Sequence, residues 1–213
     1  MAGRKTFLVL LTTLFVAGGA LAFASAYSSD IWQGARNPLA KERTHDVETA
    51  FDRPAGYPAM AEEERAVTVS LYNKEGIKVG DAILEQKERG VLIRLDATGL
   101  PPEQHGFHIH ETGACDAPDF TSAGDHFNPN GRQHGLNNPA GPHAGDMPNI
   151  TVGKSGTVTA EVLNTRVTLK KGEPNSLLKP GGSSLVIHAQ PDDMKSDPSG
   201  NSGERIACGV IGE

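Results

Sequence analysis

The sequence predicts an all-β domain, and three observations lead there. Glycine (25) and proline (14) are frequent while aromatic side chains make up only 5% of the 213 residues, a composition of many turns joining short segments. Short runs alternate apolar and polar residues with period two, starting at Val67, Val69 and Leu71. Most of these runs end in glycine, proline or Asx residues. The length allows one full core with appendages.

Residues 1–26, MAGRKTFLVLLTTLFVAGGALAFASA, carry Arg4 and Lys5, then an apolar run, then the small residues Ala24-Ser25-Ala26. This is the arrangement of a secretory signal cleaved after Ala26. The competing expectation is an uncleaved membrane anchor, because residues 7–26 are just long enough to span a bilayer. Residues 27–64 are polar, include Pro38, Pro54 and Pro58, and show no sustained period, so they read as a flexible linker with an end-to-end distance of about 35 Å. The folded domain is expected over 65–213.

Strand-like runs follow one another through that domain: the run around Val67, then VGDAILEQ, GVLIRLDA, GFHIHE, GTVTAEVLN, TRVTL, SSLVIHAQ and RIACGVIG. Between Glu111 and Ile150 no alternation is present. A connection this long inside a compact domain is usually functional or disordered, and its histidines and aspartates decide between the two.

In GFHIHE, residues i and i+2 of a strand share a face. His108 and His110 therefore present two imidazoles together while Phe107 and Ile109 point to the opposite side, into the core. An isolated H-x-H pair is more often two hydrogen-bonded histidines than a metal site. Here His126, His134, His143 and Asp146 follow in the long loop and His188 lies in SSLVIHAQ, so six of the eight histidines converge on strand faces or one loop. Imidazoles with a carboxylate suit zinc or copper better than calcium or magnesium, which favour oxygen shells. Seven candidate ligands exceed one tetrahedral site and fit two ions that share a ligand.

The runs GFHIHE, SAGDHFNP, HAGD, LVIHA and GNSGERIACGVIG occur in this order. On them, over about residues 65–213, the chain resembles copper/zinc superoxide dismutases of the bacterial secreted type. The resemblance implies an eight-stranded Greek-key β-barrel or sandwich with long metal-binding and electrostatic loops, and an enzyme that disproportionates superoxide to oxygen and hydrogen peroxide at a copper centre beside a structural zinc. It assigns His108, His110 and His188 to copper, His134, His143 and Asp146 to zinc, and His126 to both, with a catalytic part in taking up and returning a proton. The zinc set independently matches a closed four-coordinate structural site. Asp192 matches an aspartate that links His108 with His134, which would fix the tautomer of both rings. His105 matches a non-ligand position with a structural hydrogen-bonding role.

Cys115 and Cys208 are the only cysteines, and an even pair in an exported chain predicts a disulfide. Closing so long a loop would restrict the unfolded chain by roughly 4–5 kcal/mol in the chain-entropy model and would hold Arg205, three residues before Cys208, near the copper. The formal net charge of -6 would repel superoxide, so a local positive field is expected from the metals, Arg205 and Lys195. Arg205 matches the family's anion-guiding arginine, although a salt bridge to the adjacent Glu204 is the plainer alternative. The partners expected are the superoxide anion and a second copy of the chain in a homodimer, with no nucleic acid. The location expected is exported, periplasmic or extracellular, with a membrane tether through residues 7–26 as the competing form. A non-catalytic copper-binding or copper-delivery domain on the same barrel is the rival function.

Overall fold

The computed structural model describes residues 65–212; the expected signal segment and linker lie outside the described residues. Nine strands follow in order: β1 (Ala66–Asn73), β2 (Lys78–Lys87), β3 (Gly90–Ala97), β4 (Glu103–His105), β5 (Phe107–His110), β6 (Ile150–Val152), β7 (Val158–Asn164), β8 (Ser183–His188) and β9 (Arg205–Ile211). Seven of them form one antiparallel sheet in the order β5-β8-β9-β1-β2-β3-β7, while β4 and β6 pair in a separate ribbon. The sheet is a curled, partly open half-barrel.

The alternation read from the sequence is what fills it. Val69, Leu71, Leu84, Ile93, Leu95, Phe107, Ile109, Leu185 and Ile187 are buried in one hydrophobic cluster, each contributing on the order of 1.5–3 kcal/mol from removal of apolar surface from water. On β1, β2 and β3 the neighbours of these residues are less buried, whereas β5 and β8 are covered on both faces. On the outer face of β2, β3 and β7, Arg94 sits between Glu85 and Glu161, a cross-strand charge arrangement that suits an exposed sheet surface.

Two details of the sequence reading change. The run TRVTL is not a strand: Val167 and Leu169 are buried, but its backbone makes only an isolated bridge at Thr168 with Ser176, and the Gln86 side chain accepts from the Leu169 N–H and the Thr168 hydroxyl at 2.7 and 2.9 Å. The three-residue strands β4 and β6 lie outside the predicted runs, because so few residues carry no measurable period.

The membrane tether is corrected, and the anchored location with it. Among the described residues no helix is long and apolar enough to cross a membrane; a spanning helix needs about 20 apolar residues, and the only helical element among the described residues is the 3-10 turn Thr121–Ala123. The segment 7–26 itself is outside the described residues.

The long connection after β5 folds back on the free edge of that strand. Ile109 N–H donates to Gly145 O at 2.9 Å, Phe127 N–H to Ile109 O at 2.8 Å, and Glu111 N–H to Asp125 O at 2.9 Å. Isolated bridges pair His108 with Asp146 and His110 with His126. The loop is thereby ordered against the sheet, and its histidines are brought to the H-x-H pair.

Candidate metal centre

His108 and His110 leave β5 on the face opposite Phe107 and Ile109, and all four are buried. The neighbouring strand β8 contributes His188 at its end. Between Ile187 and His188 the β8–β9 register shifts, so that Ile187 pairs with Ala207 but His188 pairs with Arg205. Ile206 is the extra residue of this bulge, and such a bulge re-aims the side chains beside it.

The ligand atoms form two groups that share His126. His108, His110, His126 and His188 make one, and His126, His134, His143 and Asp146 the other, with the ligand atoms of each group within 4.8 Å of one another and every residue buried. In the second group three imidazole Nδ1 atoms converge on a single carboxylate oxygen: Asp146 Oδ1 lies 2.9 Å from His126, 3.0 Å from His134 and 3.4 Å from His143. The other oxygen, Oδ2, is already taken by the backbone N–H groups of Gly135 and His143 at 2.8 and 2.9 Å.

Outward hydrogen bonds fix which nitrogen of each ring is left with a lone pair. His108 Nε2–H donates to Asp192 Oδ2 at 2.8 Å and His134 Nε2–H to Asp192 Oδ1 at 3.0 Å; His110 Nδ1–H donates to Gly124 O at 3.0 Å and His188 Nδ1–H to Gly203 O at 3.2 Å. The inward nitrogens are therefore His108 Nδ1, His110 Nε2, His188 Nε2 and His134 Nδ1. His110 Nε2 and His188 Nε2 stand 3.3 Å apart, two lone pairs facing each other. His108 Nδ1, His126 Nε2 and His143 Nδ1 are buried without any hydrogen-bond partner. Buried acceptors are normally satisfied, and cations at the two foci satisfy all of them together. The donor sets fit copper at the all-imidazole focus and a four-coordinate zinc at the focus with Asp146.

Electrostatics agrees at the all-imidazole focus. Burial pulls His126 down to about 4 and His188 to about 3, and it lowers His108 and His110 as well, so these rings stay neutral as ligands must. Burial acts against the Asp146 and Asp192 carboxylates, but the imidazoles donating to them outweigh it and hold both below the usual carboxylate range. His134, caught between the two carboxylates, is raised to about 9 against the opposing effect of its burial, so without metal it is protonated at neutral pH and zinc would take the place of its Nδ1 proton.

A cavity of about 440 Å³ opens onto His110, His126 and His188, and Arg205 lines it. Arg205 donates to Phe120 O and to Gly124 O, both at 2.6 Å. Its cationic side chain is thus fixed at the cavity by the segment that Cys115 begins. Cys115 is disulfide-bonded to Cys208 with a Cα–Cα separation of 5.7 Å, and both pack with Phe120, Ala123 and Val186 in a second small core. Glu204 turns away to Lys74, so the neighbouring salt bridge considered for Arg205 does not form. Lys195 is not among the residues that line the cavity, whereas the carboxylates of Glu111, Asp125 and Asp197 are.

His105 lies outside both clusters with its ring nitrogens 2.7 Å from His188 O and 2.8 Å from Pro101 O. Several supporting residues were not legible in the sequence. Arg166 donates to Asp146 O, and Asn164 Nδ2 to Ala144 O; Asn149 holds the Asp192 backbone at two points, accepting from its N–H at 2.8 Å and donating to its carbonyl at 2.9 Å. Nothing in the spacing marks Arg166 or Asn164, and only proximity to Asp146 could have drawn attention to Asn149.

The chain matches the family model described as copper/zinc superoxide dismutase (SODC) over residues 78–211. It is 57% identical over 150 residues to Superoxide dismutase (Cu-Zn) 1 of Aquifex aeolicus, covering 70% of this chain and 89% of that one. Among solved structures it is similar to a SOD-like protein from Bacillus subtilis, with a TM-score of 0.66 and 45% identity over 68% of this chain and 97% of that one. The Cu/Zn superoxide dismutase from Brucella abortus gives a TM-score of 0.57 and 28% identity over 69% of this chain and 99% of that one. With two imidazole-rich foci sharing one histidine beneath a cavity lined by an arginine, and with these relatives, the chain belongs to the copper/zinc superoxide dismutase family.

Proposed function

We propose that residues 65–213 form a superoxide dismutase domain in which His108, His110, His126 and His188 hold copper and His126, His134, His143 and Asp146 hold zinc. The reaction joins two superoxide anions with two protons to give one dioxygen and one hydrogen peroxide. Copper supplies the one-electron couple for both halves, and zinc holds the shared ring in place.

The protein's own residues do the rest. Arg205 draws the anion into the cavity and orients it, because its guanidinium is fixed by two carbonyls while its remaining N–H donors are available to the substrate. His126 is suited to hold and return a proton at Nε2, the buried nitrogen that has no protein partner, in a ring that lines the cavity; its Nδ1 faces the Asp146 focus, where it would serve zinc. Asp192 keeps the Nε2 protons of His108 and His134 outward, so their Nδ1 lone pairs remain inward. We further propose that the β4–β6 ribbon closes the half-barrel as an eighth Greek-key strand position. Supporting this, β4 runs into β5 through Gly106 alone, and Ile150 and Val152 of β6 belong to the main core.

The observation that carries the function is the set of buried, partnerless ring nitrogens at two foci joined by His126, next to a cavity holding Arg205. The test is the second-order decay of superoxide with the full chain loaded with one copper and one zinc, at two ionic strengths. A rate near the ceiling known for superoxide dismutases, about 10⁸–10⁹ M⁻¹s⁻¹, that falls with salt supports a steered dismutase. A slow rate at full copper occupancy would make the domain a copper-binding module.

A further inference from the structure

We infer that Gly200 is a positioning residue for the metal pair: the space left by its missing side chain is where Asp192 bridges His108 and His134. This inference rests on the zinc and copper assignment above.

Gly200 is buried in the connection between β8 and β9, where it opens the run GNSGERIACGVIG. A Cβ on Gly200 would lie 1.7 Å from Asp192 Oδ1, 2.5 Å from Asp192 Cγ and 2.8 Å from His134 Nε2. These three atoms are the bridge itself. The oxygen that would be struck, Oδ1, is the one that accepts from His134 Nε2–H, and it also accepts from the Met194 N–H at 2.6 Å.

The carboxylate has little room to give way. Its other oxygen is engaged by His108 at 2.8 Å, and its backbone is pinned by Asn149. The Gly200 backbone is pinned as well, its N–H donating to Ser196 O at 2.7 Å and its carbonyl accepting from Asp193 N–H at 2.9 Å. A methyl group at 200 must therefore displace the Asp192 carboxylate from His134. The ring then loses the partner that keeps its proton on Nε2, and its Nδ1 is no longer held as a free lone pair toward Asp146.

Gly200 also has φ +63°, a conformation strained for any side chain, so the collision has to be separated from the backbone effect. Gly76 supplies the comparison: its φ is +74° and a Cβ there would meet nothing within 4 Å.

The experiment compares the full chain with its Gly200→Ala, Asp192→Ala, Gly200→Ala/Asp192→Ala and Gly76→Ala variants. Zinc affinity is read by competition with a chromophoric chelator, and the geometry of the zinc focus by the visible spectrum of cobalt(II) bound in its place. Gly200→Ala is expected to weaken zinc binding about 10- to 100-fold, the range for losing an outer partner of a ligand, and to alter the cobalt spectrum as Asp192→Ala does. The double variant is expected to bind no more weakly than Asp192→Ala alone, since both changes act through one group, and Gly76→Ala is expected to bind as the unaltered chain does. Unchanged zinc affinity in Gly200→Ala, or losses that multiply in the double variant, would overturn the inference. If Gly200→Ala does not fold, recovery of folding in the double variant supports it and failure there overturns it. Failure of the unaltered chain to bind zinc would overturn the metal assignment itself, a result distinct from a tight-binding Gly200→Ala.

Discussion

Arg205 faces His188 directly across the β8–β9 ladder, one step from where an unbroken register would put it. A regular ladder would set Ile206 opposite His188. The extra residue on β9 brings the guanidinium to the same cavity that exposes His110, His126 and His188. Gly124 O then accepts from both Arg205 and His110, so one carbonyl ties the cavity's guanidinium to a ring of the all-imidazole group.

Replacing Arg205 by Ala is expected to lower kcat/KM about 10-fold or more and to flatten its dependence on salt, because local charge in a cleft raises association by factors of that order. Copper content should stay at one per chain. Arg205→Lys should recover only part of the rate, since a lysine cannot span the carbonyls of Phe120 and Gly124 with a planar fork. Superoxide decay across a salt series decides this; equal rates for Arg205→Ala and the unaltered chain at low salt would remove the guiding role.

His126→Ala should separate the two metal sites. Zinc affinity is expected to fall by more than about 100-fold, beyond the loss of an outer partner, while copper remains on His108, His110 and His188. Metal analysis after dialysis against a weak chelator would show copper retained and zinc lost. Retention of both metals would show that the ring is not shared.

Cys115→Ser with Cys208→Ser should destabilise the domain by about 2–5 kcal/mol, measured by urea unfolding of the metal-loaded chain. The same variant should lose catalytic rate at full copper loading, because the segment from Cys115 to Gly124 supplies both carbonyls that hold Arg205. A variant that loses stability yet turns over at the original rate would show that Arg205 is held without the bridge.

The metal-free domain should be most stable near pH 6.5–7. Burial lowers His126 to about 4 and His188 to about 3 in the folded state, against about 6.5 unfolded. Between these values the unfolded chain binds more protons, so stability falls as pH falls from 6.5 toward 3. His134 is raised to about 9, so its contribution is full below 6.5 and is lost as pH rises through 9. Urea midpoints of chelator-treated protein from pH 4 to 9 would trace this maximum. A midpoint that rises between pH 6.5 and 4 would contradict it.

Much of the site was legible because its chemistry is local. The H-x-H pair needs only strand alternation to share a face, and Phe107 and Ile109 report which face is the core. His126, His134, His143 and Asp146 stand out because histidine is scarce elsewhere in the chain. Cys115 and Cys208 were an expected disulfide as an even pair in a chain read as exported, and they are bonded. The strands from β1 to β3 and from β7 to β9 were readable for the same reason, with six or more residues each: β1, β2, β3 and β7 carry a period of two, while β8 holds a continuous apolar run and is buried along its length.

The sequence by itself therefore determined the all-β class, the ligand types and the two-metal count, since side-chain chemistry and short-range periodicity are written along the chain. Tertiary structure decided that TRVTL is held by Gln86 and a single bridge to Ser176 and not by a full strand pairing, that Glu204 goes to Lys74 and leaves Arg205 to the carbonyls, and that Glu111, Asp125 and Asp197 line the cavity with it. It also decided that Gly200 must lack a side chain for Asp192 to reach two rings. Each of these depends on which distant atoms come within about 3 Å of one another, the range over which hydrogen bonds and collisions act, and no local pattern in a sequence encodes that.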